Sequence, residues 1–399
     1  MLTKFFLGVL FLFSFSVNAQ LLIEPRFTNP QCQAYEGKPR NAYCTRADVA
    51  RAQTQAEGPY KKVLELIKKR GVQKITLGTM TFSHKDVAAA LCQAIRNRVE
   101  VTVLIDSSAE MAVADSVAKC GARLYKVGTA EPEDEEAARG DLHHNKFLLA
   151  ESANDSTLVF ATANFSNPGL TINHEVWTFV TAKNDSEFMQ NHQCLIESLK
   201  NYTDDLSRFR KDVQACRSRV QKDQNSVIES LFVPADSARL MKLIDESIRA
   251  SSRVLIASNR YSYDKVTSAI AAAKSRDSRA IFDDDLYWGG IQPTEDYVRE
   301  ALDAKKVAQL EKSAKVRFTQ TSFGAAQKMH SKFIVLDRMV IVGAGNYTYA
   351  GMSSNFENFY IIRDPVTVEK FKEQFEYLWS ISTPRQQMPK DYIDHAATP

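Results

Sequence analysis

An internal repeat constrains the fold of this chain more than any other feature of the sequence. Residues 74–83 align with residues 253–262, and the same order of predicted elements surrounds each segment. A helix, a strand, a second helix and a second strand are followed in both copies by further strands and a closing helix. Strands that alternate with helices are typical of an α/β fold. We therefore predict two similar halves, each a mixed sheet flanked by helices.

Each half also carries one copy of a short polar motif. Its members are a His, a Lys two residues later, and an acid five residues after the Lys. They are His144, Lys146 and Glu151 in the first half, and His330, Lys332 and Asp337 in the second. A pattern repeated in this detail is not expected by chance.

Two further polar residues follow each motif in the same order and at the same distance from each other. Asn164 and Asn346 lie in bends rich in Gly, Ala and Thr, and an acid follows each Asn eleven residues later, as Glu175 and Glu357. Both copies therefore offer a His, a Lys, an amide and a carboxylate in the same order.

The spacing of the motif residues indicates which chemistry they could perform. The residues after each Lys are apolar and favour a buried strand, on which side chains two apart point the same way. An imidazole beside an ammonium suits a phosphate, because the His can attack or donate a proton while the Lys neutralises oxygens. Glu151 and Asp337 lie at an odd offset, so we expect them to face away as structural partners.

These residues carry a resemblance to the phospholipase D superfamily, whose signature is His-x-Lys-(x)4-Asp with a following Asn, usually present twice. The second copy matches this signature fully, whereas the first has Glu151 in place of Asp. The resemblance extends over residues 60–382. It implies that the two halves pack about a pseudo-two-fold axis, with His144 and His330 on opposite sides of one phosphate.

The resemblance also implies a two-step phosphodiester transfer through a phosphohistidine. By analogy, His144 is the nucleophile and His330 the general acid and base. The residues expected to bind the phosphate oxygens are Lys146, Lys332, Asn164 and Asn346. Glu175 and Glu357 would orient the catalytic histidines, each serving the His of the opposite half. No metal and no cofactor is expected, because two Lys supply the positive charge.

The remaining layout follows from composition. Residues 1–19 resemble a secretory signal peptide, with a basic start, a short apolar run and a small-residue cleavage site ending at Ala19. This predicts a secreted or periplasmic protein without a transmembrane anchor. The predicted units are a signal peptide at 1–19, an irregular cap at 20–58, the first repeat at 59–200, a helical connector at 201–225, the second repeat at 226–385 and a mobile tail at 386–399.

The cysteine count agrees with export, since an even number in an exported chain favours disulfides. The six are Cys32, Cys44, Cys92, Cys120, Cys194 and Cys216. Sequence order suggests the pairs Cys32–Cys44, Cys92–Cys120 and Cys194–Cys216, although connectivity cannot be deduced from sequence. Buried free thiols are the alternative, and a cysteine metal site lacks Cys-x-x-Cys spacing.

Net charge bears on the substrate. The formal charge is +3, and loss of residues 1–19 removes only Lys4 and leaves +2. That balance lacks the strong basic excess of a nucleic-acid binder. The acidic run at 131–136 lies just before the first motif and would also repel a polyanion.

Three functions remain open from the sequence. The first is an exported phosphodiesterase acting on phospholipid, monomeric and in transient contact with a membrane surface. The second is a metal-independent endonuclease acting on DNA or RNA, and the third is a non-catalytic module that binds phosphate ligands. A zinc site at Asp141, His143 and His144 is a weaker alternative. The insertion at 286–329 either covers the site or lies apart from it.

Overall fold

The structure is a computed structural model. It describes residues 21–30, 33–34, 42–43, 45–129, 141–273, 276–291, 298–321 and 327–390. The predicted signal peptide, the acidic run at 131–136, Cys32 and Cys44 lie outside these ranges, and the export of the chain stays a prediction.

The first half of the chain contains nine strands and six helices among the described residues. In order they are β1 (Leu22–Thr28), β2 (Gln33–Ala34), β3 (Ala42–Tyr43), α1 (Arg46–Thr54), α2 (Pro59–Ile67), β4 (Val72–Thr79), α3 (Lys85–Arg96), β5 (Glu100–Asp106), α4 (Ala112–Lys119), β6 (Arg123–Val127), β7 (Phe147–Ser152), β8 (Asp155–Ala161), α5 (Asn167–Leu170), β9 (Glu175–Lys183) and α6 (Glu187–Lys200).

The second half repeats this order after a connecting helix. Its elements are α7 (Leu206–Arg217), β10 (Ile228–Val233), α8 (Ser237–Ala250), β11 (Arg253–Ser258), α9 (Asp264–Ala272), β12 (Asp277–Asp283), α10 (Asp285–Ile291), α11 (Val298–Leu310), β13 (Lys315–Thr319), β14 (Lys332–Val335), β15 (Val340–Gly343), α12 (Tyr349–Ser353), β16 (Glu357–Ile362), α13 (Pro365–Ile381) and β17 (Thr383–Pro384).

The two large sheets have the same topology. The first runs β1-β9-β8-β7-β4-β5-β6 and the second β10-β16-β15-β14-β11-β12-β13-β17, so they match strand for strand until β17 is added at the edge. Strands β4, β5 and β6 are parallel, as are β11, β12 and β13, and the other neighbours are antiparallel. The prediction of two mixed α/β sheets is confirmed.

The strands that follow the motif histidines lie in the middle of each sheet. The expectation that His and Lys share a strand is wrong, because β7 begins after Lys146 and β14 begins at Lys332. Residues 147–150 on β7 and 332–335 on β14 are buried throughout, because both faces of each sheet are covered. One apolar cluster joins the inner faces of both sheets, and a separate cluster packs the outer face of each sheet against its helices. Phe160 and Tyr360 stack across the inner cluster with ring centroids 3.6 Å apart. The two halves thus share one core.

His192 is a buried part of this shared core. Its Nδ1 contacts the Phe188 carbonyl at 2.7 Å and its Nε2 the Tyr360 hydroxyl at 2.9 Å. The carbonyl can only accept, so Nδ1 carries the proton and Nε2 accepts from the hydroxyl. Burial lowers the pKa of His192 to about 3, so the ring is neutral in the folded protein.

This neutral ring predicts a loss of stability in acid. The unfolded chain protonates His192 near pH 6.5 and the folded chain does not, so the free energy of unfolding falls as the pH drops below 6.5. Between pH 7 and pH 5 we expect this residue to account for about 2 kcal/mol of that fall. Urea unfolding at both pH values measures this fall. In the His192→Gln variant, the fall in the free energy of unfolding between pH 7 and pH 5 should be smaller by this amount. Equal losses in variant and parent would contradict the assignment.

The prediction of an irregular cap is wrong for residues 22–28. These residues form β1, which pairs with β9 along its full length, from Leu22 opposite Thr181 to Thr28 opposite Glu175. Pro25 weakens the strand signal in the sequence, but an edge strand tolerates proline. The partner strand is about 150 residues away in sequence, so no local pattern reveals the pairing.

The tail after residue 385 is also more ordered than predicted, as far as residue 390. The Tyr287 hydroxyl donates to the Pro389 carbonyl at 2.8 Å, and just before the tail Arg385 Nε donates to Glu311 Oε1 at 2.7 Å. Met388 is buried in the outer core of the second half. Within the insertion, Tyr287 and Trp288 join the same core, so this part of it is structural.

Two disulfides fix helices to one another. Cys92 of α3 bonds to Cys120 at the end of α4, and Cys194 of α6 bonds to Cys216 of α7. Both are pairings that sequence order suggests. Among the helices that the structure describes, none has the length and apolar character needed to cross a membrane.

Candidate active site

The segment before each motif Lys pairs with the opposite half. In the first half, the His144 amide donates to the Phe356 carbonyl at 2.9 Å, and the Phe356 amide donates to the Leu142 carbonyl at 2.9 Å. In the second, the His330 amide donates to the His174 carbonyl at 3.0 Å, and the His174 amide donates to the Lys328 carbonyl at 2.9 Å. Each motif is therefore held by the residue that precedes the Glu of the other half.

This pairing places each His against the Glu of the opposite half. His144 Nδ1 lies 2.8 Å from Glu357 Oε2, and His330 Nδ1 lies 2.7 Å from Glu175 Oε1. Both carboxylates are fully buried. As the resemblance implies, each Glu contacts the His of the opposite half, so each His–Glu pair contains one residue from each half.

The contact to Glu fixes the tautomer of each ring. A carboxylate accepts, so Nδ1 carries the proton and the other ring nitrogen, Nε2, keeps its lone pair. Nε2 of His144 and of His330 makes no hydrogen bond to any residue within the described ranges. Each ring therefore presents an unprotonated nitrogen that can attack or accept a proton.

Burial keeps both rings neutral when no anion is bound. Desolvation lowers the pKa of His330 to about 4 against the opposing effect of Glu175. The pKa of His144 is likewise lowered, first by burial and then by the nearby charges of Lys146 and Lys332, although Glu357 opposes the shift.

The two motif lysines are buried, and the hydrogen bond of each ammonium goes to a neutral backbone carbonyl. Lys146 Nζ donates to the His144 carbonyl at 2.9 Å, and Lys332 Nζ donates to the His330 carbonyl at 2.6 Å. Burial lowers the pKa of Lys146 to about 8 and that of Lys332 to about 7, with the charge of Lys146 adding to the effect on Lys332. A bound anion would restore the protonated form of both, so the site is suited to a phosphate.

Asn164 and Asn346 lie at the ends of β8 and β15, beside the motif strands. The side-chain Oδ1 of each is buried and has no hydrogen-bond partner among the residues that the structure describes. A buried amide without a partner is costly unless a ligand satisfies it. Their placement agrees with the predicted role of binding phosphate oxygens, which stays a prediction.

The motif acids have structural partners, as expected. Glu151 lies 3.2 Å from Lys74 Nζ and accepts from Gln193 Nε2 at 3.2 Å. Asp337 accepts from the Ser252 amide at 2.8 Å and from the Arg253 amide at 3.0 Å. Both therefore tie the far end of a motif strand to its neighbours, and the Glu-for-Asp difference lies away from the histidines.

Several supporting residues were missed at the level of sequence. Asn173 Nδ2 donates to Glu175 Oε1, and Asn355 Nδ2 donates to Glu357 Oε1, each at 3.2 Å. The signal was present, because an Asn stands two residues before the Glu in both copies. The Thr162 hydroxyl is a third donor to Glu175, at 2.6 Å.

Sequence reasoning also missed two aspartates whose carboxylates hold the backbone just before each motif His. Asp106, at the end of β5, accepts from the His143 amide at 2.5 Å, and Asp283, at the end of β12, accepts from the Met329 amide at 2.6 Å. Parallel strands that end at the same edge bring these carboxylates to the motif. His143 and His174 are buried, and the His174 backbone pairs with Lys328 and His330.

The zinc alternative gains no support from the geometry. Among the described residues, the one group with three candidate metal-ligand atoms close together, within 4.8 Å, is Asp283, Asp284 and Asp285. The ammonium of Lys328 contacts Asp285, and burial together with the neighbouring acids raises the pKa of Asp284 to about 7. This cluster is neutralised in part by the protein itself.

Comparison with known families gives a match in both halves. The family described as cardiolipin synthase, PLD-like domain, where PLD denotes phospholipase D, matches residues 63–200 and 243–379. Together these stretches exceed half of the chain, and each contains one complete copy of the His, Lys, Asn and Glu set.

Two curated proteins match a shorter stretch. The mitochondrial cardiolipin hydrolase of Chlamydomonas reinhardtii is 35% identical over 57 residues, which are 14% of this chain and 26% of that protein. The mitochondrial cardiolipin hydrolase of Danio rerio is 39% identical over 61 residues, 15% and 27% respectively. The match therefore spans about a quarter of the length of each relative.

Two solved structures share the fold over most of the chain. The phosphatidylserine synthase of Haemophilus influenzae Rd KW20 aligns with a TM-score of 0.56 at 13% identity, over 82% of this chain and 86% of that one. The polyphosphate kinase of Porphyromonas gingivalis aligns with a TM-score of 0.53 at 12% identity, over 81% and 46%. At these identities the likeness concerns the fold alone.

Proposed function

Because the chain belongs to the PLD-like family of phosphodiesterases, we propose that it hydrolyses a phospholipid phosphodiester through a covalent phosphohistidine. The observation that carries this proposal is the pair of His–Glu contacts across the two halves, at 2.8 and 2.7 Å. Each leaves an unprotonated Nε2 in a site that also contains two buried lysines. A module that only binds phosphate would not need both rings oriented by carboxylates.

In the first proposed step, His144 Nε2 attacks phosphorus. A phosphorus–nitrogen bond forms, the phosphorus–oxygen bond to the leaving group breaks, and the leaving oxygen takes a proton from Nε2 of His330. His330 takes up that proton from solvent as the substrate binds, because the anionic phosphate favours the imidazolium that the empty site disfavours. Glu175 holds the protonated ring through Nδ1.

In the second step, neutral His330 takes a proton from water as its oxygen attacks phosphorus. The phosphorus–nitrogen bond breaks, His144 is regenerated, and the phosphate product leaves. Throughout, Lys146 and Lys332 stabilise the negative charge on the phosphate oxygens, aided by the amides of Asn164 and Asn346. The four side chains form the oxyanion environment without a requirement for metal.

The pairing of basic side chains near the site favours a lipid over a nucleic acid. Asp283 ends β12, and Asp284 and Asp285 follow it at the edge of the sheet where the motif lies. The nearby cations are engaged: Lys328 contacts Asp285, and Arg260 Nε donates to Asp303 at 2.5 Å. A polynucleotide needs cations along its backbone, whereas a phospholipid headgroup presents only one or two phosphates. The cardiolipin hydrolases among the relatives point the same way.

A substrate panel tests this proposal directly. The purified protein, with EDTA present, is assayed against phosphatidylcholine vesicles, cardiolipin vesicles, single-stranded DNA and double-stranded DNA. We expect turnover of at least one lipid, no cleavage of DNA, and no loss of activity in EDTA. The His144→Ala variant serves as the matched control for contaminating activity. Cleavage of DNA without lipid turnover would replace the lipid assignment by the endonuclease alternative.

A further inference from the structure

The two His–Glu pairs are nearly identical in their contacts. Each His donates from Nδ1 to the Glu of the other half, and each Glu also accepts from an Asn two residues earlier, at 3.2 Å in both cases. Each motif Lys donates to the carbonyl of its own His. Such symmetry by itself gives the two rings the same chemical character.

One contact breaks the symmetry. The Thr162 hydroxyl lies 2.6 Å from Glu175 Oε2, and the Val176 amide donates to the same hydroxyl at 2.9 Å. Since the amide occupies the hydroxyl as an acceptor, the hydroxyl proton is directed at the carboxylate. Glu175 therefore accepts from three side chains, those of His330, Asn173 and Thr162.

The second half lacks this donor. Ala344 stands at the equivalent position of the repeat and is fully buried. Within the described ranges, Glu357 accepts from the side chains of His144 and Asn355 alone. Among the side chains that donate to these two carboxylates, the difference is a single hydroxyl group.

A third donor spreads the negative charge of a carboxylate and weakens its attraction for a proton on a neighbouring imidazole. We propose that Thr162 is a positioning residue that makes the two active-site histidines unequal in basicity, by weakening the hold of Glu175 on a proton at His330. This inference rests on the proposed function, because it concerns the roles of the two rings in one reaction.

The inequality suits a reaction that needs two different histidines. An imidazolium of lower pKa transfers its proton more readily to a leaving oxygen, and a more basic imidazole is the better nucleophile. Thr162 therefore favours His330 as the proton donor and leaves His144 as the nucleophile. In a symmetric site the two rings would have equal pKa values, and neither would have this advantage in its role.

The test is a titration of the histidine rings by nitrogen-15 NMR in saturating inorganic phosphate, which needs no turnover. In Thr162→Val, which removes the hydroxyl and keeps the branched shape, the pKa of His330 should rise by roughly 0.5 to 1 unit while that of His144 stays unchanged. Thr162→Ser should restore the parent value. The reciprocal variant Ala344→Ser should lower the pKa of His144.

Other outcomes would overturn the inference. An unchanged pKa of His330 in Thr162→Val, or equal shifts of both rings, would show that the hydroxyl only supports the fold. If Thr162→Val fails to fold, an unchanged His144 pKa in Ala344→Ser would overturn the inference instead. Because the readout is the pKa of a ring, loss of catalysis for another reason leaves the result interpretable.

Discussion

Replacing His144 or His330 with alanine is expected to reduce phosphodiester turnover by at least about 10⁴-fold, because residues that act as one catalytic unit cannot substitute for each other. His144→Ala removes the proposed nucleophile and His330→Ala the proton donor. The loss is measured as kcat on the substrate identified by the panel, and circular dichroism shows whether each variant is folded.

The two variants should differ in the intermediate that they form. With a substrate whose leaving group needs no proton, His330→Ala should still accumulate a labelled phosphohistidine, and His144→Ala should not. The control is His84→Asn, since His84 is buried near the start of α3 and its ring nitrogens have no hydrogen-bond partner among the described residues. Full activity in either alanine variant would contradict the two-histidine scheme.

Replacing Lys146 or Lys332 with methionine is expected to lower kcat by about 10² to 10³-fold, the usual cost of removing one group that stabilises a developing oxyanion. Methionine has a similar length and removes only the charge. Burial has lowered the pKa of both lysines, so their charges are poised to respond to a bound phosphate. The effect should fall on kcat more than on KM, because the oxygens gain charge in the transition state.

Steady-state kinetics with a matched surface variant provides the measurement. Lys312→Met removes an exposed lysine of the second half and should leave kcat unchanged. A folded Lys332→Met protein that loses less than tenfold in kcat, or that changes KM alone, would show that the lysine binds the ground state and does not stabilise the transition state.

The sequence revealed most of the site because the site is duplicated. A single His-x-Lys has little meaning, but His144 and His330 are each followed by an Asn and by a Glu eleven residues after that Asn. Glu151 and Asp337 do contact other residues, but side-chain alternation does not explain it, because His144 and His330 precede β7 and β14 and Asp337 follows β14. The contact between Glu175 and His330 required the resemblance, since no local pattern joins residues 155 positions apart.

What the sequence did not reveal depends on tertiary pairing. Strand β1 was missed because its partner β9 is distant in sequence and Pro25 weakens its local signal. Residues 386–390 were predicted to be part of a mobile tail, but Met388 is buried and the Pro389 carbonyl accepts from the Tyr287 hydroxyl within the insertion. Thr162 differs from Ala344 by one hydroxyl, and only the geometry around Glu175 shows that the difference concerns catalysis.

The central claim is that His144 and His330 act on one phosphorus atom from opposite sides, and a crystal structure of the protein with orthovanadate tests it most directly. Vanadate adopts the five-coordinate geometry of the transition state. We predict vanadium bonded to Nε2 of one His, the opposite apical oxygen about 3 Å from Nε2 of the other, and both lysines on the equatorial oxygens. Vanadate bound by one His alone, with the second ring facing a different surface, would contradict the claim.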